Sequence, residues 1–131
     1  MRSLVVDDDA FSRELHKEIL ISICDCDVAS NGEEAVCLFS KALTDMNPYH
    51  LILMDVSMPI YNGHYALSKI RAIEKERGIE TCSQVKVIIL SASNDPKTVM
   101  ESYYKGGSSY LVKPVTKSRL LQVLKNFHLV S

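Results

Sequence analysis

No run of apolar residues in this 131-residue chain approaches the ~20 needed to cross a membrane, so membrane insertion is not expected. The start, Met1-Arg2-Ser3-Leu4, lacks the long apolar stretch and small-residue site of a secretory leader. There is no excess of one charge: Lys+Arg is 15 against Asp+Glu 16, a net −1. That balance removes the bulk attraction that nucleic acid or an anionic membrane surface requires. The four cysteines, Cys24, Cys26, Cys37 and Cys82, form no CxxC pair and match no zinc spacing. They read as small, mostly buried hydrophobes in a reducing compartment. No linker, repeat or low-complexity stretch divides the chain, so one domain over 1–131 with no output domain is expected. Apolar residues at 47% and charged residues at 24% are the ordinary globular mix. A chain of this length buries roughly two-thirds of its extended surface, enough for a core without metal or disulfide staples. A cytoplasmic location follows as the expectation.

Short apolar runs alternate with amphipathic stretches. Leu4-Val5-Val6 ends in acid, and Phe11, Leu15 and Ile19 then recur at helical spacing with Glu14, Lys17 and Glu18 between them. Cys26-Asp27-Val28-Ala29 is a short strand candidate. Ser30-Asn31-Gly32-Glu33 reads as a capping box before a helix carrying Val36, Phe39 and Leu43. Leu51-Ile52-Leu53-Met54 is continuous, as in a strand buried on both faces. A helix from about His64 to Arg77 stops at Gly78. Val85 to Leu90 is rich in β-branched residues and reads as a strand. Asp95-Pro96 opens a helix closed by Gly106-Gly107, Tyr110-Leu111-Val112 is a fifth strand, and Thr116 caps a last helix. Such alternation implies right-handed crossovers, a parallel sheet and helices on both faces. Ligands in such sheets sit beyond the carboxyl ends of the strands.

The residues that follow each run carry the chemistry. The first run ends in Asp7-Asp8-Asp9, the third in Asp55, the fourth in Ser91 and the fifth in Lys113-Pro114. Any one of these Asp residues alone would be read as a cap or turn residue. Together they place carboxylates, a hydroxyl and an ammonium at one edge. Crowded carboxylates resist full ionisation, and a hard divalent cation relieves the repulsion. All-oxygen ligands with few carboxylates suit Mg²⁺, with Mn²⁺ an alternative. An Asp beside such an ion can act as a nucleophile toward phosphorus, with the Ser91 hydroxyl and Lys113 ammonium sharing the phosphoryl oxygens. A cis peptide is expected at Lys113-Pro114, where the chain must direct the lysine inward.

Leu4-Val5-Val6-Asp7-Asp8-Asp9, Leu51 to Pro59, the turn ending in Gly63, Ile89-Leu90-Ser91-Ala92 and Tyr110-Leu111-Val112-Lys113-Pro114 together resemble the response regulator receiver family. The resemblance runs from about residue 2 to 127. It implies an α/β fold of the flavodoxin-like, doubly wound kind: a five-stranded parallel sheet in order 2-1-3-4-5 with five helices in three layers. It implies that Asp55 is the phosphoacceptor and that Asp8, with Asp7 through water, binds Mg²⁺. The backbone carbonyl of Ser57 matches the third protein ligand, Ser91 the hydroxyl residue, Lys113 the phosphoryl-binding lysine and Tyr110 the aromatic switch. Asp9 lies outside the acid pair, as a loop or cap residue. Asn62 stands where Asp is usual. Ser57 and Ser93 occupy positions that in the family influence dephosphorylation.

The resemblance implies a stand-alone, CheY-like regulator in a two-component system or phosphorelay, not an enzyme beyond its own phosphorylation and slow dephosphorylation. The phosphodonor would be a histidine kinase or phosphotransfer protein. A downstream target would dock on the face formed by residues 96–128, with the chain a monomer or weak dimer and no nucleic acid bound. One alternative is a pseudo-receiver that binds partners without phosphorylation, opposed by the complete set Asp7, Asp8, Asp55, Ser91 and Lys113. Another is a haloacid-dehalogenase-type phosphatase, which Asp7-x-Asp9 fits superficially while Ala10 and Phe11 fit poorly. A flavodoxin would need a Ser/Thr/Gly-rich loop where this chain has Asp-Asp-Asp-Ala-Phe.

Overall fold

The computed structural model describes residues 1–56, 63–92 and 94–130. In chain order the elements are β1 (Arg2–Val6), α1 (Ala10–Ile21), β2 (Asp25–Ala29), α2 (Gly32–Thr44), β3 (Leu51–Asp55), α3 (Gly63–Glu76), β4 (Lys86–Ser91), α4 (Pro96–Tyr104), β5 (Ser109–Val112) and α5 (Lys117–Asn126). A 3-10 turn at Thr81–Ser83 precedes β4. The strands make one sheet in the order β2-β1-β3-β4-β5, every neighbouring pair parallel. This is the architecture the alternating pattern and the family resemblance lead one to expect.

The sheet separates two cores. Phe39 and Ala35 of α2 pack with Ala66, Leu67 and Ile70 of α3 against Leu4, Ile52 and Ile89 on one face. Leu20 of α1 packs with Leu120 and Leu124 of α5 against Val5, Leu53 and Ile88 on the other. Residues alternate along each strand between these two layers, which is why β3 and β4 read as unbroken apolar runs. Each fully buried Leu, Ile or Phe contributes roughly 1.5–3 kcal/mol. β2, at the edge, is only partly covered.

Helix boundaries follow local chemistry. Asp9 caps α1, its carboxylate accepting from Phe11 N–H, the cap role expected for it. Asp95 and Pro96 open α4, and Thr116 caps α5 by accepting from Arg119 N–H. Gly78 ends α3 in the left-handed region, at φ +70°.

Three expectations need correction. The cap of α2 sits one residue later than the box at Ser30 to Glu33: Asn31 accepts from Glu34 N–H at 2.8 Å, and Ser30 Oγ donates to the Glu34 carboxylate. In α1 the residues turned inward are His16 and Leu20, whereas Phe11 is 76% exposed and Leu15 46%. The cysteines are not mostly buried: Cys24 and Cys26 are partly buried, but Cys37 and Cys82 are exposed. Cys37 falls on the outer side of α2 and Cys82 in the short turn before β4, where no core reaches them. All four are free thiols.

Candidate functional site: an acid cluster with a lysine

Because all strands run parallel, their carboxyl ends lie at one edge. Asp7 follows β1 directly and Asp55 is the last residue of β3. Asp7, Asp8 and Asp55 each offer a carboxylate oxygen, and these atoms lie within 4.8 Å of one another. Asp7 and Asp55 are buried, while Asp8 is exposed. Lys113, just past β5, reaches back over the cluster. Its Nζ lies 3.3 Å from Asp55 Oδ2 and 3.8 Å from Asp7 Oδ2. The Lys113–Pro114 peptide is cis, as expected. The backbone fixes the lysine to the neighbouring strand, since Lys113 N–H donates to the Ser91 carbonyl at 2.8 Å.

Glycine holds the entry to α3 against this edge. A Cβ on Gly63 would stand 2.5 Å from the Asp55 carbonyl oxygen and 2.9 Å from Met54 Cγ. No side chain fits without displacing the end of β3.

Among the described residues the Lys113 ammonium faces three carboxylates. Asp7 Oδ1 accepts from Asp9 N–H at 2.9 Å, but Asp7 Oδ2 has no hydrogen-bond partner among the described residues. Burial, above all, pushes the Asp7 carboxyl up to about 6, and the Asp55 charge adds to it; the Asp9 N–H and Lys113 oppose the rise. Arg13 donates to the Asp7 carbonyl rather than to its carboxylate. The donor set is all oxygen, partly buried and under-neutralised, which fits a small hard dication such as Mg²⁺. Asp7, Asp8 and Asp55 would hold the ion. Ser57, whose backbone carbonyl the resemblance adds to this set, lies outside the described residues, as do Asn62 and Ser93.

Ser91 and Tyr110 sit to one side of the carboxylates. Ser91 ends β4 and is buried. Ile89 pairs with Tyr110 and Ser91 with Val112, so Ser91 and Tyr110 are on one face of adjacent strands, offset by one pleat. Tyr110 is half-buried against the core shared with α2 and α3. Next to it, α4 exposes Met100, Tyr103 and Tyr104, at 71%, 48% and 92%.

Several residues near the site carry no signature in the sequence. His16 is buried on α1, its Nδ1 4.0 Å from Asp7 Oδ2. Burial pushes its imidazole down, and the Lys113 charge acts in the same direction against the opposing Asp55. The available signal was its place four residues before Leu20, on one helical face. His64, at the start of α3, pairs with Ser102 Oγ of α4 at 2.8 Å. Arg71 of α3 donates to the Gly106 carbonyl at 3.0 Å. These contacts tie α3 to the C-terminal end of α4 and the turn that follows it.

A family model described as the response regulator receiver domain matches residues 3–125. The chemotaxis protein CheY of Thermotoga maritima is 32% identical over 126 residues, covering 94% of this chain and 93% of that protein. Among solved structures, the receiver domain of Saccharomyces cerevisiae Ssk1, co-crystallised with the histidine phosphotransfer signaling protein Ypd1, superposes with a TM-score of 0.85 at 26% identity. The match covers 97% of this chain and 88% of that one. The CheX-CheY-BeF3-Mg complex from Borrelia burgdorferi gives a TM-score of 0.83 at 28% identity, covering 97% and 89%. The chain spans only about half the length of two other curated relatives, 54% and 50%. No helix among the described residues is long and apolar enough to cross a membrane.

Proposed function

The chain belongs to the response regulator receiver domain family, and from that premise we propose that it accepts a phosphoryl group on Asp55 and thereby switches its affinity for a partner protein. The observation that carries this reading is the convergence of the Asp7, Asp8 and Asp55 carboxylates beneath the Lys113 ammonium. An Asp55 carboxylate oxygen attacks the phosphorus of a phosphohistidine on a kinase or phosphotransfer protein. The N–P bond breaks as the O–P bond forms, and the departing imidazole recovers its proton. In this reading Lys113 neutralises charge on the phosphoryl oxygens, and the Ser91 hydroxyl at the end of β4 donates to one of them. A Mg²⁺ ion held by the acids supplies further neutralisation of that charge when bound. Mn²⁺ meets the same all-oxygen donor set. Water hydrolyses the acyl phosphate in a slow return to the resting state.

The switch follows from position. Movement of Ser91 toward a phosphoryl oxygen makes room for the Tyr110 ring on the same face, shifting the population between two packings. The altered surface is the face over residues 96–128, where Met100, Tyr103 and Tyr104 offer apolar area to a target. The co-crystal of the similar Ssk1 domain with Ypd1 supports a phosphotransfer protein as the donor. A cytoplasmic location goes with such a donor, and the even charge balance argues against nucleic acid as the target.

The test is labelling by acetyl phosphate, or saturation with beryllofluoride, in the presence of Mg²⁺ or Mn²⁺. Uptake is expected only with the cation and is expected to vanish in Asp55→Asn. Labelling of that variant at the wild-type level would overturn the assignment. A pseudo-receiver would take up nothing in either form.

A further inference from the structure

Two neighbouring buried polar atoms, one of them in the acid cluster, have no hydrogen-bond partner among the described residues: His16 Nδ1 and Asp7 Oδ2. They are 4.0 Å apart. His16 is 3% exposed and Asp7 1%. An orphaned buried nitrogen or oxygen carries a substantial desolvation cost, and one hydrogen bond between these two would relieve both. The gap is too long for a hydrogen bond and short enough to close by a small rotation of either side chain. Asp7 Oδ1 is already held by Asp9 N–H. A donor at Oδ2 would fix the remaining freedom of the carboxylate about its last torsion.

We propose that His16 is a positioning residue for Asp7: its Nδ1–H donates to Asp7 Oδ2 when a divalent cation is held by the acid cluster, and sets the direction in which Asp7 presents its charge. The inference rests on the metal-site reading above and adds a residue to it. The physical need is orientation. A small dication tolerates little error in ligand direction, and carboxylates that hold one are themselves usually held by a second hydrogen bond. His16 comes from α1, packed on the sheet through Leu20 one turn further along. It therefore acts from a rigid element rather than from a loop. Lys113 cannot substitute for it, because the ammonium is shared between Asp7 and Asp55.

The probe is Mg²⁺ alone, titrated into the full chain without any phosphodonor. Backbone amide shifts around Asp7, Asp8 and Asp55 report binding, and ¹⁵N shifts of the histidine ring report His16. In the wild type, saturation is expected to move the His16 Nδ1 resonance toward that of a hydrogen-bonded N–H. His16→Leu keeps the volume without the donor and is expected to weaken Mg²⁺ binding by about tenfold. His16→Asn places an amide N–H near the same point and is expected to recover most of the affinity. A saturating titration that leaves the His16 ring nitrogens unmoved would overturn the proposal, and this measurement needs no variant to fold. So would equal affinity in wild type and His16→Leu, or an Asn variant as weak as the Leu variant. Absence of any Mg²⁺ shifts in the wild type is a different failure. It would remove the metal-site reading itself, and this inference with it.

Discussion

Two buried carboxylates in this molecule are treated in opposite ways. Glu74 of α3 and Asp7 at the end of β1 are each 1% exposed. Glu74 is fully provided for. Arg71 Nη1 donates to Oε1 at 2.6 Å, and Val85 N–H donates to Oε2 at 2.8 Å. It fastens α3 to the start of β4, and Arg71 continues the link to Gly106 and Ser108. Among the described residues Asp7 has one backbone donor, a second oxygen with no hydrogen-bond partner, and two further carboxylates beside it. Both burials cost free energy, but only the first recovers it within the chain. A charge that serves the fold is neutralised by the fold. A charge left in deficit is poised for something that arrives from outside.

Variants can break that contrast. Removing Glu74 should have the largest effect on stability. Glu74→Ala strands the Val85 N–H and one side of Arg71, and about 3 kcal/mol of unfolding free energy should be lost. Denaturant unfolding would show it, with Mg²⁺ binding by the folded fraction unchanged. A loss well under 1 kcal/mol would mean that the network is ornamental.

The opposite sign is expected at the acid edge. Asp7→Asn should stabilise the cation-free protein. The rise of the Asp7 carboxyl from 3.8 to about 6 corresponds to roughly 3 kcal/mol against the ionised form, of which the substitution should recover about 2. Because the folded-state value is raised, the wild type is relatively favoured below pH 4 and loses stability as pH rises through 6. The gain in Asp7→Asn should therefore be absent near pH 4 and complete above pH 7 in chelator. A gain independent of pH would point to packing instead.

Cation should then narrow the gap between Asp7→Asn and the wild type. Mg²⁺ at ten times its Kd adds about 1.4 kcal/mol to a protein that binds it only when folded. Wild type and Glu74→Ala should gain this increment, and Asp7→Asn should gain much less. Thermal unfolding with and without Mg²⁺ separates the two kinds of carboxylate directly.

The smallest effect is spectroscopic. Beryllofluoride with Mg²⁺ should shift the resonances of Tyr110 and of residues 96–112 in addition to those around Asp55, and Ser91→Ala should reduce the distant set while sparing the near one. Shifts confined to Asp55 and its neighbours would refute the coupling from Ser91 to Tyr110.

The acid edge was legible in the sequence because topology does the work there. Once strands alternate with helices in a parallel sheet, the residue after each apolar run must land at the same edge, whatever the side-chain details. Asp7, Asp55, Ser91 and Lys113 needed no more than that. His16 was not legible for the converse reason. Apolar spacing in α1 favoured Phe11 and Leu15, yet both face solvent, because the inward stripe of a short helix beside a polar edge is itself partly polar. Glu74 is illegible likewise, since an acid on a helix reads as solvated until the arginine one turn earlier and the backbone amide just before β4 are seen to meet it. The cap of α2 falls one position beyond Ser30 because Ser30 and Asn31 are both competent caps, and only the backbone decides between them.

The sheet that divides the interior into two layers has a consequence for how substitutions combine. Phe39 and Leu67 lie in one layer, Leu20 and Leu124 in the other, and among the described residues no side chain is shared between them. Losses incurred in different layers should sum to within ~0.5 kcal/mol, whereas losses within one layer should interact. A change in α2 or α3 therefore leaves the cost of a change in α1 or α5 unaltered, although both are taken from one folding free energy. The strands between are common to both ledgers, and a residue such as Leu53 is constrained from its neighbours on every side. The fold behaves as two half-cores hung on one shared wall, and interaction between substitutions should be confined within each.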